Sequence, residues 1–389
     1  MVGFGKPTLR KAFICGRKKR LDSRLRGNDR KKWNMNIKLL IDDGLMLARD
    51  KPTGIGWYTL NLIKELPSLG IDVRKNNYSE FFKKLPAPVK RVIYVFSSFR
   101  NCTRTDVDLI HYTNFYVPPR RHLAKVVVTI HDLTAYRFPD TLPACYRRFN
   151  RFSIENAVKF ADMILTPSEA VKSELIDKFP HLADEKIKVV YQDIRDLFFN
   201  APKSNLPREH FLYVGMLERR KNLPFLIDTF SRFAQKHKDA KLVLIGKPGF
   251  GFSEIKAAID RSANVVQCDY SADDSLVEKY RKAYALIMPS LYEGFGRPVI
   301  EAMAMGLPVI ASDISTNSEL HNRHGKINLY SNSNAEELID LLERIFTGSC
   351  EMVDYGNLDM YRTSEIARRH MEAYKEICRV GFLKPTIGR

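Results

Sequence analysis

The sequence has no long apolar run. Nothing in its 389 residues approaches the roughly 20 consecutive apolar positions that a bilayer-spanning helix needs. The most apolar stretches, Val126 to Ile130 and Leu242 to Ile245, have the length of a strand. The basic N-terminus is not followed by an apolar segment, so it does not read as a secretory signal. Paired cysteines are also missing. Cys15, Cys102, Cys145, Cys268, Cys350 and Cys378 form no CxxC pair, and none stands beside a histidine at metal-ligand spacing. Scattered single cysteines read as reduced thiols of a cytosolic protein and argue against a structural zinc site. A dinucleotide fingerprint is lacking too. Gly54-x-Gly56 has Thr59 where the third glycine belongs, and no acid follows at the required place after a strand. That argues against a nicotinamide-dependent oxidoreductase.

Acidic residues are outnumbered, 45 against 63 Lys and Arg, for a net charge of +18. The excess is uneven. Residues 1–34 hold 12 Lys or Arg and 2 Asp, +10 of the total. This segment has few apolar residues and no amphipathic period, so it lacks the means to offset its own ordering entropy. It reads either as a nucleic-acid-binding arm or as a leader translated from a start codon upstream of the true one. Met35 stands directly before a clean strand, Ile37 to Ile41, and LDSRLRGND resembles a translated intergenic repeat. Both favour the leader, expected to be disordered, and no nucleic-acid partner is expected.

From Met35 the chain alternates strand-like and helical patterns. Strand-like runs are Lys38–Ile41, Val92–Phe96, Leu109–His111, Val126–Ile130 and Met163–Thr166, with helical patterns such as Tyr58–Leu66 and Arg148–Phe160 between them. The pattern loosens from Tyr191 to His210, then restarts at Phe211–Val214 and continues to Val309–Ala311. Regular alternation predicts an α/β protein with parallel sheets and helices on both faces. Two blocks predict two Rossmann-like domains facing across a cleft: an N-terminal domain over 35–198, a linker over 199–210 and a C-terminal domain over 211–365. A last helix within 366–389 is expected to cross back to the first domain. Ligands of such sheets bind at the carboxyl ends of the strands.

Two constellations stand at such ends. PSLYEGFGRPVIEAMAMGLPVIASD, residues 289–313, follows an apolar strand. Gly294 and Gly296 let the backbone turn tightly, and Pro298 suits a first helical turn. The helix then aims free N–H groups and the positive end of its dipole at the loop, which suits an anion. Glu293 on the loop and Glu301 one turn into the helix are placed to accept hydrogen bonds from sugar hydroxyls. FLYVGMLERRKNLPFLIDTF, residues 211–230, is a strand, Gly215, the basic cluster Arg219, Arg220 and Lys221, and a helix start. Cations there suit a diphosphate. Each constellation also has a bland reading, as a generic βα turn or a solvated basic loop. Their equivalent positions favour convergence on one phosphate.

With these motifs, and with LVLIGKPGFG at 242–251, GIGWYTLNLIKEL at 54–66, VVVTIHDLTAYRFPDTLP at 126–143 and ADMILTPSEAVKSEL at 161–175, the chain resembles glycosyltransferase family four from about Lys38 to about Ile377. The resemblance implies a GT-B fold and a retaining transfer of a hexose from a nucleotide diphosphate sugar. It implies that Glu301 holds the ribose hydroxyls, that Glu293 contacts the donor sugar, and that the backbone at Gly294, Phe295 and Gly296 meets the diphosphate. Lys221 matches the phosphate-binding lysine, with Arg220 beside it. Gly54 and Gly56 match the glycine loop facing the diphosphate, and Gly215 lies at the strand end. His131 matches a histidine near the transferred sugar, although a strand-end histidine is also commonly structural. Met216 stands where many members carry Arg, and YQDIRDLFF replaces the usual turn between the domains.

The sequence has no Asp-x-Asp where a metal-bridged diphosphate would need one, so no metal and no cofactor are expected. Fixed cations would stabilise the leaving diphosphate. The expected acceptor is a glycan or lipid-linked sugar of surface polysaccharide or lipopolysaccharide assembly. GDP-mannose is the favoured donor, and UDP-sugars stay open. A catalytically inactive glycan-binding scaffold is the alternative. Between Arg74 and Arg104, eight Lys or Arg are interleaved with Phe81, Phe82 and Leu85, and Glu80 is the one acid. This predicts a cytoplasmic protein that touches an anionic membrane surface at the inner face of the plasma membrane. A solvated helix whose Phe residues point into the core fits the same run.

Overall fold

The computed structural model describes residues 36–45, 54–75, 80–202, 206–268, 273–348 and 351–382, all within the unit that begins at Asn36. The basic segment 1–34 and the tail 383–389 lie outside the described residues.

Among the described residues, twelve strands form two six-stranded sheets, and every pairing is parallel. The first holds β1 (Lys38–Asp42), β2 (Asp72–Lys75), β3 (Leu109–Tyr112), β4 (Lys125–Thr129), β5 (Met163–Thr166) and β6 (Ile187–Val189), in the order 2-1-3-4-5-6. The second holds β7 (His210–Val214), β8 (Leu242–Ile245), β9 (Val265–Cys268), β10 (Ala283–Met288), β11 (Val309–Ser312) and β12 (Asn328–Tyr330), in the order 12-11-10-7-8-9. Central strands are covered on both faces by helices, so they read as continuous apolar runs rather than alternating ones. LVLI in β8 and LIHY in β3 are buried at every position. The order reverses between β7 and β10, and such a switch point opens a crevice at the carboxyl edge of the sheet.

Two expectations need correction. Val92–Phe96 is not a strand. It lies inside a helix, Ala87–Ser98, entered after Pro86. The run VIYVF is β-branched and aromatic, which biases a short window toward strand, but Val89, Val92, Ile93 and Phe96 repeat at helical spacing. The stretch after β6 is also less loose than its composition suggests. Val190, Tyr191 and Ile194 are buried, Ile194 bridges to Arg362, and a short helix spans Asp196–Asn200.

The last helix, Thr363–Phe382, packs against the helix Gly54–Glu65 beside the first sheet. Its anchor is a buried polar chain. Tyr374 Oη lies 2.8 Å from His111 Nδ1, His111 Nε2 2.8 Å from Thr129 Oγ1, Thr129 Oγ1 3.0 Å from Tyr58 Oη, and Tyr58 Oη 2.7 Å from His370 Nε2. His370 Nδ1 sits 2.8 Å from the Ile366 carbonyl and must donate to it. That fixes His370 Nε2 as an acceptor, so Tyr58 donates to it. Among the described residues no helix is long and apolar enough to cross a membrane.

Candidate active site at the switch point

Two loops meet where the second sheet reverses its order. β10 reads AYALIM and ends at Met288; the loop 289–296 follows, then the helix Arg297–Ala304. Gly296 caps that helix at φ 90°, a left-handed conformation, and Pro298 sits in its first turn. Gly294 is glycine for a different reason. A Cβ there would lie 1.9 Å from the carbonyl oxygen of His131, so at Gly294 the two sheets' carboxyl edges come into direct contact. β7 ends at Val214, and a 3₁₀ turn, Arg219–Lys221, leads through Asn222 into the helix Leu223–Lys236. The two loops are tied by the Leu291 N–H, which donates to the Arg220 carbonyl at 2.9 Å.

The side chains converge on Glu293. Lys221 Nζ donates to Oε1 of Glu293, as does Ser290 Oγ at 2.6 Å. Arg220 Nη1 donates to Oε2 at 3.1 Å and to the Tyr292 carbonyl at 2.6 Å, and Arg220 Nη2 donates to Glu218 at 2.8 Å. Lys221 and Glu293 are each 8% exposed. Burial alone would raise the Glu293 pKa, but Lys221 and Arg220 beside it outweigh that and hold it down to about 2. Burial, with Arg220 as a neighbour, draws the Lys221 ammonium below its ordinary value. Two cations, Arg220 and Lys221, are thus balanced by two carboxylates, Glu293 and Glu218, in a largely buried site. Arg219 takes no part: it turns outward, paired with Glu254 and set over the Phe250 ring.

Glu301 lies one turn into the helix, buried, and accepts from Tyr280 Oη at 2.8 Å. Its pKa is raised by burial, with Arg297 and Arg195 opposing. Phe295 is buried between the rings of Tyr191 and Tyr361. Gly215 has φ 153°, and a Cβ there would lie 2.8 Å from Tyr213 Oη. Gly54 and Gly56 lie in the first turn of the helix Gly54–Glu65, not on a loop. Gly54 reaches the site through its carbonyl, which accepts from Arg297 Nη1 at 2.7 Å. His131 is buried with both ring nitrogens engaged, Nε2 on the Thr113 carbonyl at 2.7 Å and Nδ1 on the Gln192 amide at 2.7 Å. Nε2 donates to that carbonyl and Nδ1 accepts from that amide nitrogen, the pattern of a neutral ring, and burial lowers its pKa in the same sense; it is its carbonyl that lies against Gly294.

Several participants were not singled out by sequence. Ser290, inside the quoted motif, braces Glu293. Tyr292 spans the cleft: its Oη accepts from Leu133 N–H at 2.9 Å and donates to Glu174 at 2.7 Å. Ser168 Oγ donates to the Gly294 carbonyl at 2.8 Å. The cleft side of the first sheet also carries a cavity of about 470 Å³ lined by Leu133, Tyr136, Arg151, Glu155, Glu174 and Lys178. No group of three His, Cys, Asp or Glu among the described residues could hold a metal ion.

Residues 76–192 match the family described as Glycosyltransferase Family 4, and residues 194–357 the one described as Glycosyl transferases group 1. O-antigen chain mannosyltransferase B of Escherichia coli is 28% identical over 225 residues, 54% of this chain and 58% of that protein. O-antigen chain mannosyltransferase RfbU of Salmonella typhimurium LT2 is 25% identical over 338 residues, 79% of this chain and 93% of that protein. The crystal structure of Anabaena Alr3699/HepE in complex with UDP-glucose superposes with a TM-score of 0.61 at 17% identity, covering 89% of this chain and 99% of that one. Two parallel six-stranded sheets, the paired loops at the switch point and matches running through both halves place this chain in glycosyltransferase family four, as a glycosyltransferase of the GT-B fold.

Proposed function

We propose that the enzyme transfers a hexose, mannose first among them, from a nucleotide diphosphate sugar to a glycan or lipid-linked acceptor in surface polysaccharide or lipopolysaccharide assembly. The transfer retains the anomeric configuration and uses no metal. The observation that carries this reading is the half-buried Arg220 and buried Lys221 set against Glu293 at the switch point. Breaking the sugar–phosphate bond develops positive charge at the anomeric carbon and negative charge on the departing diphosphate. Lys221, Arg220 and the helix N-terminus at Gly296 meet the negative charge with donors already in place, the largest kind of contribution a site makes. Glu293 bonds both cations in this structure, and Glu218 pairs with Arg220 as well. On donor binding the diphosphate takes over the cations, and Glu293 accepts from hydroxyls of the sugar. Glu301 takes the ribose hydroxyls in exchange for Tyr280. The acceptor oxygen bonds the anomeric carbon on the face the phosphate leaves, and its proton passes to the departing phosphate oxygen. His131, neutral and held at both nitrogens, shapes the sugar pocket rather than carrying a proton.

The two O-antigen relatives are named as mannosyltransferases, which supports mannose and the polysaccharide setting. The structure with UDP-glucose bound supports a nucleotide-sugar donor for this fold. The test is a thermal-shift screen with GDP-, UDP- and ADP-sugars, followed by mass spectrometry of products. No shift with any donor and no product would overturn the reading.

Two consequences follow for the donor site. Glu301→Ala weakens binding of the nucleotide diphosphate selected by the screen by about tenfold or more, the size of one lost charge-assisted contact; calorimetry reads it, and wild-type affinity would remove Glu301 from the site. Activity survives excess EDTA. Loss on chelation with rescue by Mg²⁺ or Mn²⁺ would mean that the fixed cations do not replace a metal.

A further inference from the structure

The helix Ala87–Ser98 is turned inside out. Its inward face is polar or aromatic: Tyr94 is buried and donates to Asp42 at 2.8 Å, and Ser98 is buried. Asp42 ends β1 and also accepts from Asn101 at 2.8 Å, so the helix is fastened to the carboxyl edge of the first sheet. Its apolar stripe, Val89, Val92, Ile93 and Phe96, at i, i+3, i+4 and i+7, faces solvent. Phe96 is 74% exposed, and Phe81 on the short helix before it is 76% exposed. A stripe at that spacing normally faces a core. Exposed apolar surface is also lopsided across the molecule. Of the eleven exposed large apolar side chains among the described residues, eight lie between Phe81 and Phe152.

Charge identifies what covers the stripe. The two helices carry Lys83, Lys84, Lys90 and Arg91 against Glu80 alone. Arg91 lies 4.4 Å over the ring of Tyr146, itself 40% exposed, which carries the mixed surface onto the next long helix. Arg74 and Arg104, the ends of the same basic run, pair with Asp106, and Lys90 Nζ donates to the Lys83 carbonyl at 2.8 Å. A protein partner with an apolar groove needs no excess of cations around it. An anionic bilayer matches both halves, taking apolar side chains to the acyl boundary and cations at the headgroups.

We propose that Phe81 and the stripe Val89, Val92, Ile93 and Phe96 seat this enzyme on the surface of an anionic phospholipid bilayer, with the adjoining lysines on the headgroups. Docking there sets the carboxyl edge of the first sheet, and with it the mouth of the cleft, beside lipid. This deepens the proposed function, because it rests on a lipid-carried acceptor, but binding is measured without donor or acceptor, so the two fail separately.

The experiment is flotation of the full chain with vesicles of phosphatidylcholine alone or mixed with phosphatidylglycerol, at low and high salt. The wild type floats with the anionic vesicles, less so at high salt. Phe81→Ser/Phe96→Ser lowers the bound partition about tenfold or more, and Lys83→Glu/Lys84→Glu about 30-fold or more. All four positions lie outside the catalytic cluster, so donor hydrolysis in solution is unchanged. Because residues 1–34 are themselves basic, binding that survives both double variants belongs to that segment and overturns the proposal. So does failure of the wild type to float. A change in oligomeric state in Phe81→Ser/Phe96→Ser, read by light scattering, would mean that the stripe is covered by a second copy and would also overturn it.

Discussion

Lys221→Ala lowers turnover by about 100-fold or more, with a folded protein left behind. The size follows from timing. An ammonium beside the leaving diphosphate is worth most when the sugar–phosphate bond is nearly broken, and removing one fixed donor from such a site costs about 100- to 1,000-fold in kcat. The fold survives because Glu293, deprived of Lys221, keeps Arg220 at 3.1 Å and Ser290 at 2.6 Å. The reverse deletion is different. Glu293→Ala takes the carboxylate from the buried Lys221 ammonium and leaves it beside Arg220, which keeps Glu218, and an uncompensated buried charge costs about 3–5 kcal/mol of stability. Steady-state rates with the donor identified by the screen, alongside thermal unfolding of each variant, separate the two effects. A Lys221→Ala enzyme with the wild-type rate would take the ammonium out of the chemistry.

That cluster also marks how far the sequence reaches. β10 and β7 were readable because each is a short apolar run followed by glycine and a helix start. A parallel strand buried on both faces leaves that signature. The position of Lys221 near Glu293 followed from equivalent strand ends in one sheet. That Glu293 would bond both cations was not readable, since it depends on the separation of two loops whose paired residues lie 72 positions apart in the chain. Nor does anything in the sequence mark Tyr280, which bonds Glu301, or Glu174 and Leu133, which grip Tyr292 from the opposite sheet. Such contacts are set by how two domains meet, and local pattern carries no trace of it.

The helix Ala87–Ser98 failed for a different reason. Its β-branched and aromatic residues bias a five-residue window toward strand, and strand propensity mostly measures fit to a half-buried pleated surface. This segment has no such surface to meet, because its apolar stripe faces outward. Over twelve residues the helical spacing wins. His111, at the end of β3, had little to distinguish it in sequence. Its partner Tyr374 lies 263 positions away on the last helix.

The chain that joins those two residues makes the protein sensitive to acid. His111 and His370 are fully buried, and each must be neutral to keep its place. Burial pulls the pKa of His111 well below its ordinary value and that of His370 to about 4. The groups facing them are Tyr374 and Thr129 on His111, Tyr58 and the Ile366 carbonyl on His370, each histidine for the other, and His131 nearby. Among the described residues no carboxylate bonds either ring to hold a proton there. Because the folded values are depressed, the unfolded chain binds the extra protons. The stability contributed by this network is therefore whole above pH 6.5 and falls as pH drops toward 4. His370 accounts for at most about 1.4 kcal/mol per pH unit in that window, the linkage limit for one proton, and His111 adds in the same direction. Urea denaturation followed from pH 7 down to 4.5 is expected to show this steep loss. His370→Gln is less stable at pH 7, since Tyr58 loses its acceptor, yet its stability falls with acid by up to about 1.4 kcal/mol per pH unit less than that of the wild type. An unchanged slope in that variant would mean that His370 takes up its proton without leaving the fold.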